Sequence, residues 1–198
     1  SLNVEGCEHL TDEAIEAVAA GCPSLTALNV SVCPRLNDVS IEAIAAACPM
    51  LASLDVHECF NLTDEAIKAV ATACPLLTEL NVCELYALTD ESIRALAVGC
   101  RRLTSLTALG CERLTDESTR AVATFFPCLT LLDIRNCSNI TEGALDVLHR
   151  DRARNGHSRI KILGDKKADA KADPASFDHV AWKGGLADPQ GDAPSPSP

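Results

Sequence analysis

The chain repeats itself every 26 residues, and that step constrains its fold more than any other feature. Cys7, Cys33, Cys59, Leu85, Cys111 and Cys137 form one column at this interval, and Cys22, Cys48, Cys74, Cys100 and Phe126 form another. The residue after the second column is Pro23, Pro49, Pro75, Arg101 and Pro127. Leu2, Leu28, Leu54, Leu80, Leu106 and Leu132 hold the same register, as do Val4, Val30, Val56, Val82, Ala108 and Ile134. A period between about 20 and about 50 residues marks a solenoid, whose units cannot bury an apolar face alone and stack on their neighbours.

Local pattern identifies the unit. Leu28-Asn29-Val30 alternates as a short strand, whereas Ile15, Val18, Ala19 and Cys22 recur at helical spacing. Each unit is therefore strand, loop, helix and return. Thr11, Asn37, Thr63, Thr89, Thr115 and Thr141 occupy the N-cap slot, and the acid that follows each of them suits the positive end of a helix. Gly21-Cys22-Pro23 and its equivalents stop the helix.

The run Leu25, Leu28, Val30, Cys33 and Leu36 reads LxxLxVxxCxxL, which resembles the leucine-rich repeat. With the later Thr-Asp, helix and Cys-Pro it is similar to the cysteine-containing subclass, in six copies over residues 1–150. The resemblance implies an α/β right-handed solenoid, a horseshoe with a parallel concave sheet and helices outside. It also implies protein binding, since the subclass is similar to the substrate-binding repeats of F-box proteins in ubiquitin ligases and to structural repeat proteins, some of them axonemal. Fold alone does not choose among these roles.

Eleven cysteines raise the question of disulfides or metal. Nine stand in the two columns, where equivalent side chains on successive coils run parallel about 4.8 Å apart instead of converging. No CxxC or HxxxH spacing is present, so no metal or other cofactor is implied. Buried free thiols point to a reducing, cytoplasmic environment, with the cytoskeleton or a flagellum as the setting for a structural role. No apolar run is long enough to span a membrane. Ser1 falls inside a repeat, so the sequence is expected to be part of a longer chain.

Residues 1–163 are expected to form the solenoid. The sixth helix is placed near 141–149, and Ile160-Lys161-Ile162-Leu163, displaced by about two extra residues, is expected to cap the sheet. Residues 164–198, rich in Asp, Ala, Lys, Gly and Pro, read as a flexible or partner-ordered tail containing Trp182. The net charge of −11 disfavours specific nucleic-acid binding. It is unevenly spread, with 21 acidic and 8 basic residues over 1–149 against 7 and 9 over 150–198. Nearly half of the solenoid's acids stand at helix starts, which weakens them as a sign of a basic partner. The basic run Arg150, Arg152, Arg154, Arg159, Lys161, Lys166 and Lys167 reads as a solvated cap facing the acidic solenoid, more readily than as a contact for nucleic acid or acidic lipid.

Residues flanking the inward Leu and Val of each strand face outward and form readable columns. The middle column is Asn3, Asn29, Asp55, Asn81, Thr107 and Asp133; the next is Glu5, Ser31, His57, Cys83, Leu109 and Arg135. Most of these are small and polar. Phe60 and Tyr86 share a slot just beyond the strands, adjacent to His57, Cys83 and Leu109. The candidate partner surface is therefore Asp55, His57, Phe60, Asn81, Cys83, Tyr86, Thr107, Leu109 and Arg135, on the concave face or the edge of repeats three to five. Phe60 and Tyr86 read equally well as a cover over Leu62 and Leu88.

Cys83 beside His57 and Asp55 suggests a nucleophile and base. An open sheet, however, offers no evident oxyanion hole or water-excluding pocket, so the expected role is non-enzymatic. Two roles remain: a substrate receptor of the F-box type, or a scaffolding subunit embedded in a larger complex.

Overall fold

The structure, a computed structural model, describes residues 1–157 and 159–164. All of the tail expected from 164 onward, except Gly164, and Trp182 with it, lies outside the described residues. Strand and helix alternate without exception: β1 (Leu2–Asn3), α1 (Asp12–Gly21), β2 (Ala27–Asn29), α2 (Asp38–Ala47), β3 (Ser53–Asp55), α3 (Asp64–Ala73) and β4 (Glu79–Asn81), continuing as α4 (Asp90–Gly99), β5 (Ser105–Thr107), α5 (Asp116–Phe125), β6 (Leu131–Asp133), α6 (Glu142–Arg154) and β7 (Lys161–Leu163).

The strands form one parallel sheet in chain order, and the Leu column aligns across it as Leu2, Leu28, Leu54, Leu80, Leu106 and Leu132. Each helix packs on the next along the other side of the chain's path. Between the two layers lies one continuous core of Leu, Val, Ile and Cys. A strand of three residues is stable here because pairing runs on past it, with Val30 N donating to Asp55 O and Glu58 N to Cys83 O, each at 3.0 Å.

The cysteines belong to this ladder. From Cys33 onward each thiol of the first column donates to a carbonyl of the preceding coil, for example Cys59 Sγ to Val30 O and Cys137 Sγ to Ala108 O, both at 3.1 Å. In the second column Cys48 Sγ donates to Cys22 O at 3.3 Å and Cys100 Sγ to Cys74 O at 3.6 Å. A thiol is a weak donor that otherwise packs as a hydrophobe, so it suits a core slot facing a carbonyl. All eleven cysteines are free, and Cys7, Cys22 and Cys128 are exposed.

The last repeat departs from the others. The register Leu132↔Ile162 is a step of 30 residues instead of 26, four extra where two were expected. The cause is α6, which runs 13 residues to Arg154 where α1 to α5 each run 10. The added turn carries Arg152 inward. Its guanidinium is 2% exposed and donates to Phe126 O and Leu129 O, each at 2.7 Å, and to Val122 O at 3.3 Å. Arg152 is therefore not part of a solvated basic cap: it satisfies carbonyls at the end of α5, whose C-cap is Phe126 instead of Cys, and in the loop that follows.

Candidate interaction surface

The outward columns of the sheet are less open than alternation alone implies. Asn29 and Asp55 are buried, as is Asp133, because each side chain turns back on the end of its own strand. Asp55 Oδ1 accepts the backbone N–H of His57 at 3.1 Å and contacts His57 Nδ1 at 2.8 Å. Its Oδ2 accepts from Asn81 Nδ2 at 3.0 Å, and Asn81 Oδ1 accepts the backbone N–H of Cys83 at 3.1 Å. Asp133 accepts the backbone N–H of Arg135 at 3.1 Å and its Nη2 at 2.6 Å. These are Asx turns, which satisfy N–H groups at the point where the chain leaves the sheet.

This network decides what the candidate residues present. Asp55 is 5% exposed, so it acts through His57 and Asn81 instead of offering a face of its own. His57, Asn81, Cys83, Thr107, Leu109 and Arg135 are half-buried. The hydrogen bond to Asp55 raises the His57 pKa above its ordinary value, against the opposing effect of burial. Burial pushes the Cys83 thiol up to about 12, and the nearby Asp133 and Asp55 charges add to it. A nucleophile needs the reverse, since only the thiolate attacks. Asp55 and His57 meet, while burial works against the thiolate that a nucleophilic Cys83 would need.

Phe60 and Tyr86 lie one coil apart and stack, with ring centroids 5.7 Å apart and planes 3° from parallel. Leu62 and Leu88 are buried, yet the two rings remain 46% and 47% exposed. The Tyr86 hydroxyl donates to Glu84 Oε2 at 3.0 Å. Offset stacking of aromatic rings is favourable by about 0.5–1.5 kcal/mol beyond area burial, so the pair holds itself in place.

Glu58 and Glu84 were not among the residues singled out from sequence, although they flank the pair. They occupy a slot with positive φ in each loop, where Gly6, Val32, Gly110 and Asn136 also sit. The signal was present in sequence: Gly and Asn recurring in one 26-residue column mark a left-handed position. Among the described residues no group of three His, Cys, Asp or Glu side chains is placed to hold a metal ion. No helix among them is long and apolar enough to cross a membrane.

A family model described as leucine-rich repeat matches residues 21–45, a stretch equivalent to one turn of the stack. No curated protein matches the sequence. Among solved structures, a chain in the crystal structure of the Rad7 and Elc1 complex in yeast is similar, with a TM-score of 0.50 and 16% identity. That match covers 82% of this chain and 60% of the other, so the present chain spans less than two thirds of the solved one. At such identity the likeness concerns the fold.

Proposed function

We propose, from the premise that this chain is a leucine-rich-repeat protein, that it serves as a non-enzymatic protein-binding module whose partner docks on Phe60 and Tyr86 and reaches the concave face through His57, Asn81, Cys83, Thr107, Leu109 and Arg135. The observation that carries this reading is the stacked aromatic pair, left nearly half exposed beside the polar columns of the sheet. Exposed aromatic area at low conformational cost is what interface hot spots use. Asp55 contributes by fixing its neighbours.

Within that role we favour the repeat part of a ubiquitin-ligase substrate receptor of the F-box type, which the sequence resemblance supports. The yeast neighbour comes from a two-protein complex, which is consistent with partner binding. The second reading is a scaffolding subunit of a cytoskeletal or axonemal assembly, favoured by a surface that is repetitive along the stack. Free thiols throughout suit a reducing compartment in either case.

The test is recovery of partners by proximity labelling with the wild-type chain and with Phe60→Ala/Tyr86→Ala. A partner whose direct affinity falls at least about tenfold in the double variant supports the docking site, because truncating a hot spot costs 1–2 kcal/mol or more. Equal affinity would sink it. Co-recovery of ligase core components selects the first role, and co-purification with axonemes selects the second.

A further inference from the structure

We infer that the segment docking on the Phe60–Tyr86 stack is a basic, extended stretch of a partner protein that lays an arginine guanidinium against the rings. The inference rests on the docking reading above and names the chemistry of its occupant.

Three carboxylates surround the pair. Glu58 and Glu84 lie in the loop slot two residues before the rings, and Glu112 holds the aromatic slot on the next coil. Their proximity shows in the Tyr86 phenol, whose pKa is raised first by the hydrogen bond to Glu84, then by burial and by the charges of Glu84, Glu112 and Glu58. None of the three forms a salt bridge among the described residues, and only Glu84 has a side-chain partner, the Tyr86 hydroxyl.

Several other solenoid acids are already engaged. Glu65 and Glu91 pair with Lys68, and Glu117 with Arg120. Asp133 pairs with Arg135, and Asp38, Asp64, Asp90 and Asp116 bind the next coil. The slot following the aromatic one carries Arg35 and Arg113 on the outer coils but Asn61 and Ala87 beside the pair. Repeats three and four therefore combine exposed rings with negative charge; Arg113 is the cation that reaches this slot, donating to Ala87 O at 3.4 Å, and among the described residues it forms no salt bridge with the three carboxylates.

An isolated apolar patch would accept any hydrophobe, and the charge narrows the choice. Acidic lipid and nucleic acid are repelled. A guanidinium is planar, stacks on aromatic faces and bonds carboxylates with two parallel donors, so it answers rings and acids together where an ammonium answers only the charge. The backbone is consistent with a retained charge: Glu58 and Glu84 hold φ of 56° and 59°, a region that disfavours any side chain, while the same slot is glycine at Gly110. Val32 holds that conformation too, and nothing in the structure explains it.

The experiment titrates the chain with a labelled unstructured peptide in which Arg and Leu alternate with Gly and Ser, against versions carrying Lys or Glu in place of Arg. Binding is read by fluorescence anisotropy and mapped by amide NMR shifts. The Arg peptide should bind, the Lys peptide several-fold more weakly and the Glu peptide not at all, with shifts centred on residues 57–60, 83–86 and 109–112. In Glu58→Gly/Glu84→Gly the affinity should fall about tenfold while the melting temperature rises, because the substitution removes charge and strain together; misfolding would move both downward. Glu16→Gln/Glu42→Gln, on the helices, should leave affinity unchanged. Failure of the Arg peptide to bind, equal binding of the Glu peptide, or shifts spread over the helices would overturn the inference. If a recovered partner is lost with Phe60→Ala/Tyr86→Ala but bound normally by the glycine variant, the docking site stands and its basic occupant does not.

Discussion

Asp90 and Thr115 join two coils of the stack through two hydrogen bonds: Asp90 Oδ1 accepts the backbone N–H of Thr115 at 2.9 Å, and Oδ2 accepts its hydroxyl at 2.7 Å. Thr115 Oγ1 in turn accepts the backbone N–H of Glu117, capping its own helix. The same relation links Asp38 to Thr63, Asp64 to Thr89 and Asp116 to Thr141. A Thr-Asp pair that looks like a local helix signal is thus also a continuous staircase between repeats. Its acids answer the helix dipole and the next coil's orphan donors at once.

Thr115→Ala should lower stability by about 2 kcal/mol, since it removes a cap and leaves Asp90 short of a charge-assisted donor. Thr115→Ser should recover most of that. Urea denaturation checks both; a loss under about 0.5 kcal/mol for the alanine would show the staircase to be energetically idle.

Stability should respond to pH at two places with opposite sign. Burial pushes the Asp90 carboxyl up, but hydrogen bonds from Ser118 and Thr115 outweigh it and hold the group below its usual 3.8. Its contribution is present above that value and lost as pH falls through the lower folded one. His57 is raised above 6.5, so its contribution is complete below 6.5 and lost as pH rises through the folded value. Urea midpoints from about pH 3 to about pH 9 should show both slopes, and His57→Gln should abolish only the one near neutrality.

Ala108→Val should stabilise the chain by about 1 kcal/mol, because repeat five carries alanine where its neighbours carry Val82 and Ile134. A void of about 10 Å³ remains there among Leu106, Leu114, Val122 and Leu132. Thermal melting reads the effect, and a lower melting temperature would mean that the coil has closed onto the smaller side chain.

Arg152→Ala should cost about 3 kcal/mol, far more than Arg154→Ala on the exposed side of the same helix, because three carbonyls, two at the end of α5 and Leu129 O in the loop after it, lose their donor. Equal effects for the two variants would contradict the buried role.

Native-state thiol titration with a chromogenic disulfide should show three fast cysteines, Cys7, Cys22 and Cys128. Cys83 should react slowly, its thiol pushed up to about 12 by burial, and His57→Ala should not change its rate. Acceleration of Cys83 by His57 would revive a catalytic reading.

Much of this architecture was legible in sequence because a solenoid converts tertiary neighbours into residues a constant distance apart. The Leu and Cys columns declare the core, and Phe60 and Tyr86 share one slot. The buried polar column was harder to read. Asn29, Asp55 and Asp133 alternate outward as residues on an open face would, and only the turn that follows each strand shows their side chains folding back. Along the chain Glu58 and Glu84 look like any loop acids, since the left-handed backbone that singles them out appears in sequence only through Gly6, Gly110 and Asn136.

The amino-acid sequence by itself determined the repeating unit, its stacking register and the identity of the core, because a 26-residue period leaves each apolar face one place to be buried. Only the tertiary structure decided which polar and charged groups remain available. Asp90, Arg152 and Asp55 all look free along the chain. Asp90 and Arg152 are taken up by donors or acceptors roughly one coil away. Asp55 bonds both its own turn and Asn81 on the next coil. What is left over, a stacked aromatic pair among carboxylates without a salt bridge, is the surface we propose for partner docking.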